Sequence, residues 1–83
     1  MITIYGKSNC GFCTKAKNLC EVRRLEHEYK NVEYENYLTE LKEKVPEARS
    51  VPQIWVNDTH VGGYAELVQY LEDTGYTGTG YTL

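Results

Sequence analysis

No apolar run in this sequence approaches the ~18 residues that a membrane-spanning helix needs, so no such helix is expected and a membrane is not among the expected partners. Nor does the amino terminus carry the basic start, apolar stretch and small-residue cleavage site of a secretory signal; it opens on Ile2-Thr3-Ile4-Tyr5, and the expected location is the cytoplasm. Positive charge is in deficit. Nine Lys and Arg against twelve Asp and Glu leave a net charge of -3, which argues against a nucleic-acid partner, because phosphate contacts rely on clustered basic side chains. Cysteine is scarce, at three residues, and does not make the even framework of a disulfide-stapled secreted domain. The length, 83 residues, suits one compact domain, so no second domain is expected, and at this size roughly 60 to 65% of the unfolded surface can be buried.

What is present is a soluble globular composition, 41% hydrophobic and 25% charged, with a readable order of elements. Ile2 to Tyr5 alternates and is β-branched or aromatic, which predicts a strand, and Gly6-Lys7-Ser8-Asn9 is a turn ending in helix N-cap residue types. From Gly11 to about Arg24, Cys13, Ala16 and Cys20 recur at helical spacing, with Phe12 and Leu19 beside them and Lys15, Lys17 and Asn18 between. His27 to Glu35 alternates weakly and predicts a second strand. Tyr37, Leu38, Leu41 and Val45 then give a short helix ended by Pro46. Ile54-Trp55-Val56, the Asn57-Asp58 turn and His60-Val61 make a hairpin, Gly62-Gly63 punctuates, and Tyr64, Leu67, Val68 and Leu71 mark a last helix that Gly75 can cap. The predicted class is α/β, as β-α-β-α-β-β-α, with a right-handed crossover in the first unit. The domain is placed at residues 1–73. The stretch from Thr74 to Leu83 has no periodicity and is expected to be a flexible tail, with Tyr76 and Tyr81 as its candidates for docking.

Two cysteines three positions apart at the start of a helix carry a chemical meaning. Unpaired N–H groups and the helix dipole favour negative charge at an N-terminus, so Cys10 is expected to ionise more readily than a free thiol, whose pKa is ~8.5. Cys13, one turn deeper, can attack a mixed disulfide formed on Cys10. That makes Cys10 the candidate nucleophile and Cys13 the resolving thiol. Lys7, Lys15, Lys17, Arg23 and Arg24 crowd the first third of the chain, so a positive patch beside the pair and a small anionic substrate are expected. Phe12, the only Phe, is expected to be exposed beside a substrate groove. No metal is expected: closed zinc sites take four ligands, and Cys20, His27 and His60 form no second knuckle. Cys20 reads as a small buried hydrophobe and both histidines as structural.

Together Lys7-Ser8-Asn9-Cys10-Gly11-Phe12-Cys13, Ala16-Lys17, Ser50-Val51-Pro52-Gln53-Ile54 and Gly62-Gly63-Tyr64 resemble the dithiol glutaredoxins, nearest to the short bacterial and phage type. The likeness spans Ile2 to Leu71, and separated motifs in one order are far more specific than a lone Cys-x-x-Cys. It implies a thioredoxin-like fold whose four strands run in the order 2-1-3-4, with a cis peptide before Pro52 lying against the cysteine pair. It also implies a glutathione-dependent oxidoreductase that reduces protein disulfides and glutathione mixed disulfides, with no permanently bound cofactor. Glutathione and disulfide-containing clients such as ribonucleotide reductase are the implied partners, and a monomer is expected.

By similarity, glutathione lies on the Val51 backbone, with its γ-glutamyl carboxylate at the N-terminus of the last helix behind the double glycine. Lys7, Phe12, Val51, Pro52, Gly63, Tyr64, Ala65 and Glu66 are carried over as its contacts. Ala65 and Glu66 stand where many members have Thr, Ser or Asp and then Asp, which predicts weaker glutathione binding. Gly11 stands where Pro is frequent, which keeps an iron–sulfur-bridged dimer among the alternatives. A redoxin served by thioredoxin reductase is the other alternative.

Overall fold

Ile2 and Ile4 face one side of the first strand and Tyr5 the other, and this alternation builds a sheet covered on both faces. The computed structural model describes residues 1–76. The elements run β1 (Ile2–Gly6), α1 (Gly11–Val22), β2 (His27–Asn31), α2 (Glu35–Lys44), β3 (Gln53–Val56), β4 (Thr59–Gly62) and α3 (Tyr64–Thr74). The four strands lie in the order β2-β1-β3-β4, with β1 and β2 parallel and the other pairs antiparallel. The architecture and strand order are those implied by the resemblance. Among the described residues no helix is long and apolar enough to cross a membrane.

One core joins Ile2, Ile4, Ile54 and Val56 of the sheet to Ala16 and Cys20 of α1 and Leu67 and Leu71 of α3. The other lies beneath α2, where Tyr5 and Trp55 meet Leu41 and Ala48, the two rings edge to face at 5.3 Å. With α1 and α3 on one face and α2 on the other, the segments Lys7–Cys10, Ser50–Pro52 and Gly62–Tyr64 each adjoin an end of a central strand or helix that builds the site.

Element ends differ from the sequence expectation for local reasons. Helix α1 stops at Val22 because Arg24, at φ +56°, turns the chain left-handed; the Leu25 amide donates to the Cys20 carbonyl at 2.8 Å and the Arg24 amide to Glu21 at 3.1 Å. That is a Schellman closure without the usual glycine, sealed by buried Leu25. Strand β2 ends at Asn31, four residues before the expected Glu35, because the Asn31 side-chain oxygen accepts the Glu33 amide at 2.8 Å and closes an Asx turn. Tyr34 consequently N-caps α2 and is exposed.

At the other end, α3 runs through Thr74 and Gly75 takes the left-handed cap conformation at φ +64°. Tyr76 packs against the first core, and its hydroxyl accepts a hydrogen bond from the Met1 amine at 3.1 Å. The expected tail therefore begins with ordered contacts from Thr74 to Tyr76. Its remainder, including Tyr81, lies outside the described residues.

Candidate functional site

Cys10 is the N-cap of α1, held in extended backbone at φ -112°, ψ 113°, directly after Asn9 at φ +56°. Its sulfur accepts the Cys13 amide at 3.3 Å, and its carbonyl accepts the Thr14 amide at 3.0 Å. The donor is one of the amides that a helix start leaves unpaired, so the fold presents Cys10 Sγ to the positive end of the helix. Cys10 is half-buried whereas Cys13 is fully buried, which makes Cys10 the outer sulfur and Cys13 the inner one. The two are joined as a disulfide across Cα atoms 5.2 Å apart. Cys20 is buried and free, and desolvation pushes its thiol up to about 11.

Three loops converge on this pair. The Val51–Pro52 peptide is cis, as the resemblance implied, and the Val51 carbonyl oxygen lies 3.9 Å from Cys10 Sγ. Beside it runs a groove of about 230 Å³ lined by Phe12, Ser50, Val51, Pro52, Gly63, Tyr64 and Ala65. Phe12 is 60% exposed, as expected, with its ring 6.3 Å from that of Tyr64 and the Lys15 ammonium 5.2 Å from its centroid. The sequence-derived candidates Cys10, Phe12, Val51, Pro52, Gly63, Tyr64 and Ala65 are thus brought to one end of the molecule.

Glu66 and Lys7 sit differently. The Glu66 carboxylate turns back to accept the Gly63 amide at 2.8 Å, capping its own helix. A Cβ on Gly63 would come 3.1 Å from that carboxylate, so the glycine leaves room for the cap, while the Pro52 carbonyl stands at ordinary contact distance, 3.7 Å. Lys7 is exposed and borders a second cleft of about 240 Å³, whose other cations are Lys42 and Arg49 and whose floor includes Val32, Leu41 and Val51.

The glutaredoxin family model matches residues 2–61. The chain belongs to the glutaredoxin family. Glutaredoxin 1 of Escherichia coli (strain K12) is 31% identical over 77 residues, covering 84% of this chain and 91% of that protein. The glutaredoxin of Neisseria meningitidis serogroup A is also 31% identical, over 78 residues, covering 93% and 92%. Among solved structures, that of reduced Escherichia coli glutaredoxin superposes with a TM-score of 0.73 at 28% identity, covering 88% of this chain and 94% of the other. Family membership and the Cys10–Cys13 disulfide make this glutaredoxin-family chain a thiol–disulfide oxidoreductase with the thioredoxin-like fold.

Sequence reasoning missed two groups at the site. Lys42 and Arg49 reach the Val51 loop from α2 and the segment after it, and the Lys42 ammonium donates to the Ala48 carbonyl at 2.9 Å. Arg49 stands two positions before Val51, which was the only available signal. Tyr29 and Asn31 of β2 and Glu33 of the turn after it hold the loop before Cys10; the weak alternation over His27 to Glu35 did not reveal what these side chains faced.

Proposed function

We propose that this protein is a glutathione-dependent disulfide oxidoreductase in which Cys10 is the nucleophile and Cys13 the resolving thiol. The observation that carries it is the accessible Cys10 sulfur capping α1 and accepting the Cys13 amide at 3.3 Å, with Cys13 fully buried behind it. A thiolate at that position is stabilised by the helix end, and it is the sulfur a substrate can reach. In the dithiol route, Cys10 thiolate attacks a client disulfide and one client thiolate leaves. Cys13 then attacks the Cys10 sulfur of the mixed disulfide, releasing the second client thiolate and leaving the Cys10–Cys13 disulfide. Two glutathione molecules reduce that disulfide and leave as glutathione disulfide. In the monothiol route, Cys10 takes the glutathionyl group from a mixed disulfide and a second glutathione removes it.

For glutathione itself, the groove beside Phe12, Val51, Pro52 and Tyr64 supports an extended tripeptide against the Val51 backbone. The γ-glutamyl carboxylate is assigned to the Tyr64 and Ala65 amides at the start of α3, and the glycyl carboxylate to the side of Lys7, Lys42 and Arg49. Clients of the ribonucleotide reductase kind, and a reducing compartment such as the cytoplasm, complete the proposal.

The test is reduction of a small glutathione mixed disulfide by glutathione, followed by glutathione reductase and NADPH consumption. Turnover should disappear in Cys10→Ser, whereas Cys13→Ser should keep this activity and lose reduction of protein disulfides. A wild type that is silent with glutathione but turns over with thioredoxin reductase would overturn glutathione as the donor.

A further inference from the structure

Two of the three residues between β1 and Cys10, Lys7 and Ser8, are fastened to β2 and the turn after it. The Tyr29 hydroxyl donates to the Lys7 carbonyl at 2.9 Å. The Ser8 amide donates to the Glu33 carboxylate at 3.2 Å, and the Asn31 side-chain amide reaches both that carboxylate at 3.0 Å and the Ser8 hydroxyl oxygen at 3.4 Å. Tyr29 and Asn31 share one side of β2 because its period is two, the parallel pairing of Gly6 with Asn31 sets that side against the loop, and the turn after Asn31 brings the Glu33 carboxylate back beside the Asn31 side chain. Gly6 completes the arrangement, since a Cβ there would overlap the Tyr29 hydroxyl. The next residue, Asn9, adopts φ +56° and turns the chain into Cys10.

From this geometry we infer that Tyr29, Asn31 and Glu33 are positioning residues for the nucleophile: by fixing Lys7 and Ser8 they aim the Cys10 sulfur at the first amides of α1. The inference rests on Cys10 being the nucleophile. None of the three reaches the sulfur; each acts through the backbone that carries it. A loop released from these bonds lets the left-handed Asn9 relax, and Sγ then moves off the helix end that stabilises its thiolate. The Ser8 and Asn31 hydrogen bonds also hold the Glu33 carboxyl below the ordinary carboxylate range, so it is ionised, and at full strength as an acceptor, at neutral pH.

The experiment is the pH dependence of iodoacetamide alkylation of the fully reduced protein, with the modified cysteine identified by peptide mass. In Tyr29→Phe the Cys10 midpoint should rise by about half a unit or more, and glutathione-dependent kcat should fall about 3- to 10-fold with KM within about twofold. Glu33→Ala should shift the midpoint the same way. Removing a negative charge by itself would lower the midpoint, so the sign separates aiming from simple electrostatics. Glu33→Gln keeps an acceptor for Ser8 while removing the charge, and should return the midpoint to the wild-type value or below it. Gly6→Ala, whose Cβ would meet the Tyr29 ring as well as its hydroxyl, should shift the midpoint in the same direction. Wild-type alkylation midpoints in Tyr29→Phe and Glu33→Ala, whatever their melting temperatures, would overturn the inference while leaving Cys10 as nucleophile. An adduct on Cys13 in place of Cys10 in the wild type would overturn both.

Discussion

The Glu66 carboxylate accepts the Gly63 amide at 2.8 Å, and the residue before that amide, Gly62, sits at φ +117° with the Glu66 side chain close against it. A Cβ on Gly62 would lie 3.0 Å from the Glu66 Cγ. Gly62→Ala therefore combines a backbone conformation that L residues rarely adopt with a clash against the cap. It should cost about 1–3 kcal/mol, seen as a lower urea midpoint, and raise the KM for glutathione. An alanine variant with wild-type stability would show that the turn relaxes without loss.

Gly11 is a second glycine with the opposite expectation. It is the first residue of α1, nothing lies within 4 Å of the place a Cβ would occupy, and Cys10 before it already has the extended backbone that precedes a proline. Proline fits the first helical position, where the missing N–H was an orphan. Gly11→Pro should stabilise the oxidised protein by about 0.4–1 kcal/mol, chiefly by restricting the unfolded chain, as denaturant titration would reveal.

Cys20 should stay silent in the folded protein. Its side chain is fully buried, and desolvation lifts the thiol from 9.0 to about 11. A thiol-reactive dye should leave Cys20 unmodified in the reduced native protein and reach it only after unfolding. Because the folded value is the higher one, the stability linked to this group is complete below pH 9 and is lost as pH rises through about 11. Cys20→Ser buries a hydroxyl in an apolar core and should cost about 1–3 kcal/mol.

Under α2, Glu40 accepts the Lys30 ammonium at 2.6 Å and the Tyr5 hydroxyl. The hydrogen bond from Lys30, followed by that from Tyr5, lowers its carboxyl below the ordinary 4.5. A depressed folded value means stability present above pH 4.5 and lost as pH falls through the folded value. Thermal melts from pH 7 to 3 should show a shallower acid limb in Glu40→Gln than in the wild type. Equal limbs would assign the acid loss to other carboxylates.

Much of this was legible because it is local. Alternation in Ile2–Tyr5 and helical spacing of Cys13, Ala16 and Cys20 mark the faces that the structure buries. Element ends were less so. Arg24 closes α1 in a conformation that glycine usually marks, so that stop lacked its customary signal; Asn31 is a customary turn residue, but the weak alternation continuing to Glu35 ran past the side-chain bond with which it ends β2.

The sequence by itself determined the order of elements and the placement of a cysteine pair at a helix start, since hydrophobic period and N-cap chemistry act over a few residues. Tertiary structure alone decided what surrounds the pair. The anchoring of Lys7 by Tyr29 spans 22 positions and the approach of Cys10 to Val51 spans 41; both depend on strand pairing and loop convergence. Glu66 is the local exception: its reach to Gly63 spans only three positions, yet whether its carboxylate caps the helix or faces the groove depends on a turn packed against Pro52.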